Sequence, residues 1–394
     1  MGKNKLIGSI LLIVGTSIGG GMLALPVSTA EAGFVNSLFF LFLCWLVMTI
    51  GALLILEVNL RLPAGSNMIS MAESTLGLPG KLIAWLSYLV LLYSLLAAYI
   101  AGGSDILLAF IQQLHIQIPP YIGALLFTAL FGLVVYQGIR AVDYVNRGLM
   151  FGKLSVYLLL IILISPHVEF HALQEGSLRT VSSSIMILIS SFGFASIVPS
   201  LRDYLQSDVK LLRKAIIYGS LIPLLCYIVW DGAIMGVVTR QGDMGLIALN
   251  HSGHATSGLT EALSSAINNP WIGGFFGFFS SICMVTAFLG VSIGLFDFLA
   301  DGLRLKKTGV QGKSTWILTF IPPLAIAMFY PGAYLTALSY AGICCVILLL
   351  LMPALMSWRA RLTDSDNTLI LVPGGYVMLS IIIVVASYLL TIAR

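Results

Sequence analysis

Gly15-Thr16-Ser17-Ile18-Gly19-Gly20-Gly21-Met22-Leu23-Ala24-Leu25-Pro26 lies inside the first long apolar stretch of the chain. A segment long enough to cross a bilayer thus carries, halfway along, residues that unwind a helix. Backbone polar groups find no partner in hydrocarbon, so such a break is tolerated only where protein buries it or it lines a cavity. A second interruption, Ser190-Ser191-Phe192-Gly193-Phe194-Ala195-Ser196-Ile197-Val198-Pro199, stands about halfway along the chain. Paired broken segments in the two halves of a membrane protein point to a substrate site between them.

Of the 394 residues, 59% are hydrophobic and 9% charged, where a soluble domain has about a quarter charged. The composition is that of an all-α integral membrane protein, one transmembrane domain over residues 1–394 embedded in a lipid bilayer. Eleven spans are expected near residues 6–30, 34–60, 82–110, 119–138, 148–166, 182–201, 214–238, 270–300, 314–330, 333–357 and 369–392. The first run is long, glycine-interrupted and without a small-residue cleavage site, so it reads as a retained span and not a signal peptide.

With the N-terminus in the cytoplasm, only Arg179, Arg240 and Arg394 of the 20 lysines and arginines fall outside. That bias fixes the expected orientation and supports eleven spans, because dropping one would invert every later loop. The net charge of +4 is this bias and implies no nucleic-acid partner. Cys44, Cys226, Cys283, Cys344 and Cys345 fall within spans, as reduced apolar core residues. His115, His167, His171, His251 and His254 fall in outward loops at no zinc-site spacing, so neither a metal nor a bound cofactor is expected.

The breaks occupy spans one and six, so spans one to five (about 6–166) and six to ten (about 182–357) read as two five-helix repeats. An odd number of spans per repeat makes the second copy inverted, and the span near 369–392 is an appendage. The connection from about 239 to 269 is the only long outward one, with a helical stretch from Leu259 to Ile267. Two readings stand for it: an outer lid, or a surface connection with short amphipathic helices.

Unwinding at Thr16 to Gly21 leaves amides at the start of the next half-helix that suit a carboxylate, while unwound carbonyls suit an ammonium group. One broken helix can therefore hold a zwitterion. Gly15 and Gly19 also have the spacing of a helix-packing motif, but the run Gly19-Gly20-Gly21 exceeds what packing needs. In the second break, Phe192 and Phe194 flank Gly193 and offer an aromatic wall. Ionisable residues within spans are costly and so are functional candidates. Glu31 and Asp105 lie near outer ends, and Glu57, Asp297 and Asp301 near inner ends within reach of water, Arg61 and Arg304. Lys153 is either a snorkelling lysine or a buried functional amine. Asp231 is harder to dismiss than the others.

Taken together, Gly15 to Pro26, Ser191-Phe192-Gly193-Phe194 with Pro199-Ser200, and Leu289-Gly290-Val291-Ser292-Ile293-Gly294-Leu295-Phe296-Asp297-Phe298-Leu299-Ala300-Asp301 resemble the bacterial hydroxy and aromatic amino acid permeases. The likeness runs from about Leu6 to Trp358 and is greatest to the tyrosine-specific members, with the tryptophan permeases next. The resemblance implies a leucine-transporter-type 5+5 inverted-repeat fold, the bacterial inner membrane, and import of an aromatic amino acid with a proton. By position it implies that Thr16, Ser17, Gly19, Gly20 and Gly21, with Ser191, Phe192 and Gly193, bind the substrate. Tyr99 would line the side-chain pocket, with Tyr93 and Phe288 as further candidates, and Lys153 would couple the proton between spans one, five and eight. Two departures stand out: Ala195 where these permeases usually carry histidine, and Asp231 where they carry an uncharged polar residue.

An enzyme is disfavoured, since the chain has no His-Glu-x-x-His, no Gly-x-Ser-x-Gly and no nucleophile–base pair in its spans. A non-transporting amino acid sensor is the alternative from another class, and a tryptophan or hydroxyamino-acid permease or exchanger the alternative within transport.

Overall fold

The first apolar run is two helices, α1 (Gly2–Ser17) and α2 (Gly20–Ser28), bent by 51° at the glycine cluster. In the computed structural model, which describes residues 2–174, 176–177, 184–330, 332–363 and 369–393, no strand occurs among the described residues. Arg179 and Arg394, two of the three outward charges expected, lie outside them. The chain continues through α3 (Phe34–Leu60), α4 (Met68–Gln113), α5 (Pro120–Tyr136) and α6 (Ile139–Ile164). The second half begins with α7 (Ile185–Ser191) and α8 (Val198–Tyr204), separated by Phe192 and a 3-10 turn over Gly193–Ile197. Then follow α9 (Val209–Met235), α10 (Leu246–Ser252), α11 (Ala255–Ile267), α12 (Pro270–Gly302) and α13 (Gly309–Phe329). The last are α14 (Ala333–Cys345), continued by a π-helical turn into α15 (Met352–Thr363), and α16 (Gly375–Ile392).

Among the described residues nine helices are long and apolar enough to cross a membrane, or ten with the bent pair α1–α2 as one span. The expected fourth span, α5, is apolar but has only 17 residues, at the short limit for a crossing helix. A short helical segment from Met68, capped by Asn67 accepting from the amides of Ile69 and Ser70, precedes the expected third span and joins it across a kink. The chain leaves helical geometry at Gly77 (φ 72°), and Pro79 restarts it with a dihedral suited to a first turn.

Hydrocarbon gives no hydrophobic drive between helices, so close approach of small residues does the packing. A Cβ on Gly342 would sit 2.0 Å from the Met186 carbonyl, so α14 lies backbone against backbone on α7. Polar staples lock the end opposite α10 and α11. Glu57, fully buried on α3, accepts from Arg361 Nε (2.6 Å) and Nη2 (2.8 Å) and from the Leu371 amide (2.9 Å), with Arg61 at 3.6 Å. Arg202 on α8 donates to the carbonyls of Asn59 and Leu62. Asp297 and Asp301 pair with Lys307, at 2.7 and 3.3 Å, and not with Arg304.

Candidate functional site

α1 stops at Ser17 because glycine is a poor helix former and three follow in a row. Gly19 is extended (φ −154°, ψ −148°) and caps α2 with no side chain. The first amides of α2, at Gly20 and Gly21, have no carbonyl within their own helix. The carbonyls of the break are met by side chains from three other helices. Lys153 Nζ on α6 donates to Ile18 O at 2.6 Å. Tyr227 Oη on α9 donates to Ser17 O at 2.6 Å and lies 3.0 Å from Ser191 O. Tyr334 Oη on α14 donates to Gly20 O. All three side chains are buried.

The two breaks therefore meet. Gly21 packs on Ser191, whose Oγ is 3.0 Å from where a Cβ at Gly21 would stand. Phe192, fully buried, sets its ring edge-on to Tyr227 with centroids 5.3 Å apart. Tyr99 on α4 presses on Gly20, with Met284 of α12 beside it. Of the residues expected to bind substrate, Ser17, Gly19, Gly20, Gly21, Tyr99, Ser191 and Phe192 come together, and Lys153 joins them. Thr16 does not: it is exposed and its hydroxyl turns back to the Leu12 carbonyl. Gly193 is half-buried and faces Cys345. Tyr93 gives its hydroxyl to Leu318 O at 2.8 Å, and Phe288 packs among Phe127, Phe131 and Phe320, so both lie elsewhere. Tyr227 and Tyr334 are not singled out by the sequence. Their one signal is that a buried tyrosine hydroxyl needs a partner, which does not separate them from the chain's other tyrosines.

At the opposite end from the Glu57 staple, α10 and α11 pack against α2. Arg240 holds them there by donating to the carbonyls of Ala30 (2.8 Å) and Glu31 (3.0 Å). Asp105 of α4 receives the start of α11: Thr256 Oγ1 (2.7 Å), Ser257 N (2.8 Å), Ser257 Oγ (2.8 Å) and His254 Nδ1 (2.8 Å). A cavity of about 720 Å³ lies beside this latch, lined by Phe110, Gln113, Glu261 and Gly277.

The hydrogen bond to Asp105 raises the His254 imidazole above its usual 6.5. A raised histidine contributes most below its ordinary value, and the contribution is lost as pH rises through the raised one. The amide protection factors of α11 are therefore expected to fall as pH rises through that value, and His254→Gln to flatten the profile. Hydrogen exchange measured across that range, with equal pH dependence in both proteins, would show the imidazole irrelevant to the latch.

The chain is similar to known proteins along nearly its whole length. The chain matches the tryptophan/tyrosine permease family over residues 2–393. It is 33% identical over 392 residues to "Tyrosine-specific transport system 1" of Haemophilus influenzae, covering 99% of this chain and 96% of that protein. "Tyrosine-specific transport system 2" of the same organism is 35% identical, with 92% of this chain and 89% of the relative covered. The "Tryptophan-specific transport protein" of that organism is 32% identical over 91% of this chain and 88% of its own length. Because the match spans nearly every residue, the breaks and the helices that meet them included, the chain belongs to the tryptophan/tyrosine permease family.

Proposed function

We propose that the protein is a secondary transporter that imports an aromatic amino acid, tyrosine foremost, together with a proton by alternating access across a bacterial inner membrane. The observation that carries this reading is the meeting of two interrupted helices at one buried point, where the first amides of α2 lie close to carbonyls that side chains, not helical amides, answer. The amides of Gly20 and Gly21 suit the substrate carboxylate, and the carbonyls of Ser17 and Ser191 its ammonium group. Tyr99 and Phe192 supply the aromatic wall, and Lys153, buried against Ile18 O, is the proton-coupling group. Gly193 would take part from the edge of the site, whereas Thr16, whose hydroxyl turns back to the Leu12 carbonyl, would not line it. On this reading α5 crosses the membrane as the fourth span and brings the count to eleven, α1–α6 and α7–α15 are the inverted repeats, α16 is appended, and α10–α11 form the outer lid. The N-terminus is cytoplasmic and the C-terminus periplasmic, a reading the bias of the basic residues supports.

The preference for tyrosine rests on the relatives named for it. Counterflow of labelled tyrosine in proteoliposomes tests it, with unlabelled tyrosine, tryptophan, phenylalanine and serine inside the vesicles. Tyrosine is expected to drive the largest exchange. A larger exchange with tryptophan or serine would reassign the substrate, and tight tyrosine binding with no exchange would make the protein a sensor.

A further inference from the structure

Almost every acidic side chain in or near the spans has a partner. Glu57 has Arg361, Asp105 has His254, Thr256 and Ser257, and Asp297 and Asp301 share Lys307. Asp231 does not. It is fully buried on α9, and neither carboxyl oxygen has a hydrogen-bond partner among the described residues. Beside it Trp230, also fully buried, has an unpartnered indole N–H and stacks on Phe276 with centroids 5.5 Å apart.

Its place in the bundle is specific. Asp231 follows Tyr227 by four residues, so the two share one face of α9 a turn apart. Tyr157 follows Lys153 in the same way on α6, and its hydroxyl donates to Cys226 O of α9 at 3.0 Å. Two facing helices thus carry Lys153 with Tyr157, and Tyr227 with Asp231. Lys153 and Tyr227 hold the neighbouring carbonyls of Ile18 and Ser17, while Asp231 lies one turn nearer the end covered by α10 and α11. The other titratable groups on the helices packed against α9 are few. α2 has none, α3 has Cys44 and the Arg361-paired Glu57, α1 has only Lys3 and Lys5, near its start, and α6 adds Arg140, Asp143, Tyr144 and Arg147 in its first turns, far from the level of Tyr157.

An ionised carboxylate with both oxygens buried and unpaired is strongly disfavoured, whereas a neutral acid at the same place loses only part of a hydrogen bond's worth of solvation. We propose that Asp231 is a second proton-binding site, loaded from the lid side by protonation of its carboxylate and held as the neutral acid while the bundle is closed. Release breaks the same O–H bond and returns the proton to water, leaving a carboxylate that only an open, hydrated arrangement tolerates. This inference rests on the reading of the chain as a proton-coupled transporter.

Infrared spectroscopy of the reconstituted protein and counterflow in the same vesicles test it together. The wild type is expected to show a protonated-carboxyl stretch at neutral pH that shifts down in heavy water and is missing in Asp231→Asn. In that variant tyrosine counterflow is expected to persist, while accumulation driven by a pH gradient falls several-fold. Heavy-carbon labelling of aspartate in the wild type assigns the band if the variant does not fold. A wild type without the band, or a variant that keeps it, would overturn the proposal, as would a variant that loses the band but accumulates tyrosine undiminished. Absence of exchange with any amino acid in the wild type would sink the transport reading instead, and the band would still decide whether Asp231 holds a proton.

Discussion

Lys153→Met is expected to abolish uphill accumulation driven by an imposed pH gradient, so that tyrosine inside and outside the vesicles equilibrates, while counterflow continues. Methionine keeps most of the lysine stem's volume, so the change removes the amine and not the packing. What is lost is the donor to the Ile18 carbonyl at 2.6 Å. That carbonyl belongs to the break itself, where no helical amide reaches it, and leaving a buried acceptor unsatisfied costs about 1–3 kcal/mol. Substrate binding is expected to weaken by no more than that cost allows. Coupling, in contrast, needs a group that exchanges protons, which methionine is not. Undiminished accumulation in the variant would remove Lys153 from the coupling mechanism.

The other large effect is expected from Gly20→Ala, a change of one methyl group. The new carbon would lie 2.6 and 2.8 Å from two atoms of the Tyr99 ring and 3.3 Å from the Met284 sulfur. The ring is buried, so making room for the new carbon requires its neighbours to shift. Overpacking of this kind costs about 1–3 kcal/mol, which corresponds to roughly 5- to 150-fold in uptake efficiency if it falls on the closed state alone. Gly290→Ala on α12 is the matched control, because nothing lies within 4 Å of the added carbon. Initial rates of labelled tyrosine uptake over a concentration series compare the two. Equal rates in both variants would mean that Tyr99 and Gly20 are not in contact during transport.

Both breaks are legible in the chain because unwinding is a local property. Three glycines in a row weaken a helix wherever they stand, and the bend falls at Gly19 for that reason. The groups that answer the break are legible only in part. Lys153 stands out because a charge inside a span is rare. Tyr227 and Tyr334 look like any tyrosine in an apolar helix, and their roles depend on how α9 is rotated against α1 and α14 against α2. Thr16 fails to join the site for a similar reason: its neighbour Ser17 takes the buried side of the last turn of α1, so Thr16 faces out. The latch at Asp105 joins residues about 150 positions apart, and no local pattern announces it. The early start of α4 is hidden by Pro79-Gly80, which reads as a loop unless Gly77 is known to take the turn alone.

A phenol has a single hydrogen to give. Tyr227 stands within reach of the last carbonyl of each first half-helix, Ser17 on one side and Ser191 on the other, so at any instant one of the two goes unanswered. Whichever oxygen is passed over is the one left open to a positively charged guest, and a displacement of a few tenths of an ångström between α1 and α7 would exchange the two. On the transport reading, the phenol would therefore register which half of the molecule has moved.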